Sequence, residues 1–176
     1  MSIEQLTLTN THTSLAARAY QSVLFRRQEI FKMFDTQEDR AFHKELVATI
    51  EGAKYINDAF ALNPNMTWFT MEEIPSRIVW VACQNEGQKC DYAALREIVR
   101  QKVIAIVAFG SAAQEIKHYF DKEISTLIVA NDCNQAVEFA HAIAHKDDVV
   151  LFSPANGEKE DIDIRGKEFS ANVLAL

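Results

Sequence analysis

The chain has 176 residues, room for one ordinary domain and a small additional piece, and its 48% hydrophobic and 24% charged content suits a soluble protein with a buried core. A formal net charge of −7 argues against nucleic acid or an anionic membrane as partner, because an acidic surface is attracted to neither. No apolar run is long enough to span a bilayer, and Met1-Ser2-Ile3-Glu4 does not begin a charged-then-apolar leader, so a cytoplasmic location is expected.

Cys83, Cys90 and Cys133 are odd in number and show no Cys-x-x-Cys spacing, so they read as free thiols, with neither a disulfide framework nor a metal site. Thr9-Asn10-Thr11 offers caps for an amphipathic helix from about 14 to 34, in which Leu15, Ala19, Val23, Ile30 and Phe34 recur at helical spacing. Leu46 to Ile50 reads as a strand, with Gly52 as its turn residue. A short strand at Tyr55-Ile56 follows and ends in Asn57-Asp58. Asn63-Pro64 then opens a helix, Asn as the cap and Pro at the first helical position.

From there the rhythm is strand, loop, helix. Strands are expected at 77–82, 103–109, 126–130 and 148–152. Helices are expected at 92–100 (capped by Asp91), 112–120, 133–145 and from about 164 to 174. Apolar strands alternating with amphipathic helices imply right-handed crossovers, so the expected fold is α/β. It is a Rossmann-like three-layer domain with a mainly parallel sheet, preceded by a small helical segment. Glu158 to Asp163 is charge-dense and reads as a solvated loop. In such a sheet, ligands bind beyond the carboxyl ends of the strands. Gly110-Ser111 lies there but lacks a phosphate-binding fingerprint and reads as a turn.

Two other stretches carry a family signature. Asn57-Asp58-Ala59-Phe60-Ala61-Leu62-Asn63 resembles the N-D-S-K-A-T-N pattern that opens the carboxyl-terminal domain of the Mur ligases, in the D-glutamate-adding branch. Leu151-Phe152-Ser153-Pro154-Ala155, followed by Arg165-Gly166-Lys167-Glu168-Phe169, is similar to that family's L-S-P-A-C-A-S…R-G-x-x-F signature, with a shorter loop between. Asn10 before Ser14-Leu15-Ala16-Ala17, and the pair His43-Lys44, resemble the end of the family's central ATPase domain. The resemblance divides the chain into a remnant of that central domain at 1–52 and a carboxyl-terminal-like domain at 53–176.

It also implies roles. Asn10, Lys44 and Asp58 stand at the family's nucleotide-contacting positions, with Lys in place of Arg; Asn10 also reads as a helix cap and Asp58 as a turn residue. Phe60, Leu62, Lys89, Asn156, Gly157 and Glu158 stand at or near positions that hold the incoming amino acid. Phe60 replaces a carboxylate-holding lysine, Leu62 a threonine, and Glu158 lies where a serine is expected. One lost charge-assisted hydrogen bond forfeits about 1.5–3 kcal/mol. The glutamate site is therefore not expected in its usual form.

No G-x-x-x-x-G-K-[ST] phosphate loop occurs in the sequence, and phosphoryl transfer needs such a clamp. ATP and magnesium are thus implied by the resemblance alone, no catalytic or metal-ligating residue is assigned, and whether the chain is an enzyme stays open. The leading expectation is a binding or regulatory module related to peptidoglycan precursor synthesis, without ligase activity of its own and with a protein partner or a second copy as its contact. The alternative is the amino-acid-binding part of a split ATP-dependent ligase.

Overall fold

A computed structural model describes residues 41–85, 87 and 90–176. The chain forms two compact units, Met1–Glu38 and Asp39–Leu176, and all the described residues belong to the second. The helix expected at 14–34 lies outside them, as do Asn10 and Lys89.

Six strands form one sheet: β1 (Glu45–Ile50), β2 (Ala53–Asn57), β3 (Ile78–Cys83), β4 (Val103–Phe109), β5 (Leu127–Val129) and β6 (Val149–Phe152), in the order β1-β2-β6-β3-β4-β5. Only β1 runs antiparallel, paired to β2; every other pairing is parallel. β1, which the sequence reading groups with the preceding segment, is thus an edge strand of this sheet. Among the described residues five α-helices accompany it: α1 (Pro64–Glu73), α2 (Arg96–Lys102), α3 (Ala113–Phe120), α4 (Cys133–Ile143) and α5 (Asp161–Leu174).

The near-continuous apolar runs of β3 and β6 are buried at every residue, as strands covered on both faces must be. On one face, Tyr55, Val81, Val107 and Phe152 pack against Ala136 and Ala140 of α4 and Phe169 and Val173 of α5. Phe152 stacks on Phe169 at 4.8 Å between ring centroids. On the other face Trp80 meets Phe120 of α3 edge-on at 5.6 Å and donates its indole N–H to Ser153 O at 2.8 Å. A buried indole needs such an acceptor.

Two elements depart from expectation. The first turn after Asp91 is a 3-10 helix (Tyr92–Leu95), with α2 beginning only at Arg96. α5 begins at Asp161, so the end of the acidic run is helical and not loop. Asp161 and Asp163 suit a helix amino terminus, where the backbone dipole favours negative charge, and Asp161 pairs with Arg165 one turn on. At the far end of the sheet, Lys102 Nζ donates to the carbonyls of Met71, Glu72 and Ile74 at 2.7–3.0 Å, satisfying the last turn of α1. Among the described residues, no helix is long and apolar enough to cross a membrane.

Candidate functional site

The carboxyl ends of β2 and β6 place the two signature stretches side by side. Asn57, the last residue of β2, is buried and donates from Nδ2 to Gly166 O at 2.8 Å and to Ser170 Oγ at 2.9 Å, tying the β2 loop to α5. Its Oδ1 accepts the Ala59 N–H. Asn63 caps α1 by accepting from the amides of Asn65 and Met66, and Pro64 takes the first helical position, as the sequence indicates. These asparagines hold the loop in shape and leave little to offer a ligand.

Asp58 is buried, with 1% of its surface exposed. Oδ2 accepts the Thr70 hydroxyl at 2.6 Å, while Oδ1 accepts the Lys44 N–H at 3.3 Å and lies 3.4 Å from His43 Nδ1. Burial pushes this carboxyl above the ordinary carboxylate value, outweighing its hydrogen bonds to His43 and Thr70. Lys44 directs its ammonium to Glu73 at 2.8 Å and over the Phe69 ring at 5.2 Å. The structure therefore brings Lys44 and Asp58 together through a backbone amide; the Asp58 carboxyl is engaged inside the domain, while the Lys44 ammonium lies in a partly exposed ion pair. Sequence reasoning did not identify Thr70 or His43 as partners of Asp58. Thr70 lies two turns into α1 from the cap, and its spacing carries no recognisable motif.

Phe60 is 8% exposed; its N–H donates to Phe42 O at 3.2 Å and its ring meets His43 edge-on at 5.5 Å. Phe42 has a left-handed backbone (φ 61°), and its ring fills the notch left by Gly166, where a Cβ would stand 2.4 Å from Cγ. The segment leading into β1 is thus packed between the β2 loop and α5. A concavity of about 270 Å³ remains beside it, lined by Ala41, Phe60, Lys159, Ile162 and Asp163.

In the second loop Arg165 is buried. Nη1 donates to Asn156 O at 2.8 Å, and Nη2 lies 3.1 Å from Asp161 Oδ2, an ion pair without hydrogen-bond alignment. Gly157 passes so close to Nη1 that a Cβ there would stand 2.4 Å away, with Leu62 on its other side at 3.5 Å. Glu158 is exposed, and its N–H donates to Asp161 Oδ2 at 3.3 Å. Phe60 and Leu62 from one loop and Asn156, Gly157 and Glu158 from the other therefore line a single region. Its floor is apolar and its rim is mostly acidic. Among the described residues, no group of three His, Cys, Asp or Glu side chains is placed to hold a metal.

No family model matches the chain. The UDP-N-acetylmuramoylalanine–D-glutamate ligase of Porphyromonas gingivalis is 28% identical over 171 residues, 95% of this chain and 38% of that enzyme. The ligase of the same name from Chlorobium limicola is 30% identical over 171 residues, 95% of this chain and 36% of that enzyme. The chain thus spans less than half the length of these relatives. Among solved structures, UDP-N-acetylmuramate–alanine ligase from Thermotoga maritima superposes with a TM-score of 0.54 at 11% identity, covering 84% of this chain and 36% of that one. MurF ligase from the same organism, solved with ADP, gives 0.51 at 14% identity over 83% of this chain and 36% of that one. The chain is thus similar along nearly its whole length to part of the Mur ligases, and it has the fold of their carboxyl-terminal domains.

Proposed function

We propose that this chain serves peptidoglycan precursor synthesis in the cytoplasm as a binding or regulatory module, and that its amino-acid pocket no longer takes D-glutamate. The observation that carries this reading is Phe60, which stands at a carboxylate-holding position and packs on His43 above the lead-in segment. An aromatic ring cannot donate to a carboxylate, and Glu158, exposed next to the Gly157 that meets Leu62, repels one. The nucleotide positions point the same way, since the Asp58 carboxyl is engaged inside the domain and the Lys44 ammonium lies in a partly exposed ion pair.

Calorimetric titration with D-glutamate tests it, run on the wild type and on Phe60→Lys. The wild type is expected to show no saturable heat. Micromolar wild-type binding would sink the proposal, as would phosphate release on incubation with ATP, magnesium, UDP-N-acetylmuramoyl-alanine and D-glutamate. A second reading, the amino-acid side of a split ligase, draws on the concavity beside Phe60, where Lys159 supplies one cation. It requires that ligation appear when a separate ATP-binding ligase domain is added.

A further inference from the structure

Along β2, from its amino end up to Lys44 and Thr70 behind Asp58, lies a cavity of about 320 Å³. It sits under the end of α1, at the amino ends of β2 and β6, with Pro75 and Ser76 beside it just before β3. Its volume is about ten times the share of one water molecule in the liquid, at the small end of ligand cavities. Ile56, Ile74 and Val149 give it an apolar wall. Leu46 extends that wall outward. It pairs with Ile56 across β1 and β2, so the two share a face, yet it is 55% exposed.

The charges lining the cavity fall into two sets. Lys44 and Glu73 neutralise each other at 2.8 Å. Lys54 and Asp147 also line it, but neither side chain has a hydrogen-bond or ion-pair partner among the described residues. Their backbones are neighbours: the Lys54 N–H donates to Asp148 O, and the Asp147 N–H to Gly52 O, both at 3.0 Å. An unpaired cation and an unpaired anion thus share one small apolar-walled space without meeting.

We infer that this cavity is a binding site for a small zwitterion bearing an apolar group, of the α-amino acid type, with its carboxylate toward Lys54, its ammonium toward Asp147 and its side chain along Ile56 and Leu46. The chemistry excludes simpler occupants. A lone anion would face Asp147 and Glu73, a lone cation would face the two lysines, and a neutral apolar molecule would leave both unpaired charges without a partner. The cavity shares Lys44 and Thr70 with the cluster around Asp58, but Phe60 and Glu158, on which the loss of the D-glutamate pocket rests, do not line it, so the two readings fail separately.

The test is calorimetry on the full chain with leucine as probe, beside 4-methylpentanoate, which lacks the ammonium, and 3-methylbutylamine, which lacks the carboxylate. Leucine is expected to bind saturably, one per chain, and each analogue to bind about tenfold more weakly or less. Lys54→Gln and Asp147→Asn should each weaken leucine by about tenfold while leaving the thermal midpoint in place, because both side chains are exposed and Asn tolerates the left-handed backbone at 147 (φ 69°). Absence of saturable leucine binding overturns the assignment. So does either analogue binding as tightly as leucine, or a pair of folded variants that bind it unchanged.

Discussion

The amide of Lys44 donates to Oδ1 of Asp58 at 3.3 Å, so a residue in left-handed conformation (φ 50°) ahead of β1 is tied to a carboxyl group buried at the end of β2. The tie holds the lead-in segment against the loop that carries Phe60. It also makes Asp58 a structural acid whose charge has consequences for stability.

Because burial raises its folded value, Asp58 holds its proton to higher pH in the folded chain than in the unfolded one. Its contribution is complete below the ordinary carboxylate range and is lost as pH rises through the raised folded value. Asp58→Asn keeps an acceptor for the Lys44 amide and removes the titration. Urea midpoints measured from pH 4 upward should fall less steeply in the variant than in the wild type. Parallel curves would show that Asp58 is not the group responsible.

Gly166→Ala should destabilise the domain by about 1–3 kcal/mol, the usual range for overpacking, even though alanine favours the helix by about 1 kcal/mol. The new methyl would meet the Phe42 ring at its base, at 2.4 Å, and not at a flexible tip. Phe42→Ala in the same chain should recover part of the loss, so the two changes should be non-additive in chemical denaturation.

Lys102→Met should cost about 1–3 kcal/mol, because three carbonyls at the end of α1 lose their donor while the stem still packs. Denaturant unfolding measures it. A change below half a kcal/mol would mean that water replaces the ammonium without loss.

The thiols should be inert in the folded chain. Burial pushes Cys83 and Cys90 up to about 11 and Cys133 to about 12, so little thiolate exists at pH 8. A colorimetric thiol reagent should react slowly with the native protein and promptly with all three cysteines in guanidinium.

Much of the sheet was legible because its signal is local. The run at 103–109 is β4 residue for residue, and Asn63-Pro64 announces α1 by chemistry that needs no tertiary partner. The start of α5 was missed because Glu158 to Asp163 looks like any solvated charge run. Asp161 paired with Arg165 at helical spacing was the available clue. The candidate site was legible in position and not in use. Asp58 reads as exposed turn chemistry until Thr70 and a left-handed Lys44 close over it, and those contacts cross 12 and 14 residues. The Phe42 notch depends on a glycine more than a hundred positions away, so no window of sequence contains both halves.

The three-carbonyl grip of Lys102 also bears on how the domain acquires its structure. A helix ended by its own glycine can mature alone, but α1 ends on a side chain borrowed from the last residue of α2. Its final turn therefore has only water as donor until the second helix has docked, some thirty residues later in the chain. Synthesis delivers α1 first and its terminator afterwards, which ties the two helices into one cooperative unit. Their amides should share a common opening free energy in hydrogen exchange, with α1 unable to outlast α2.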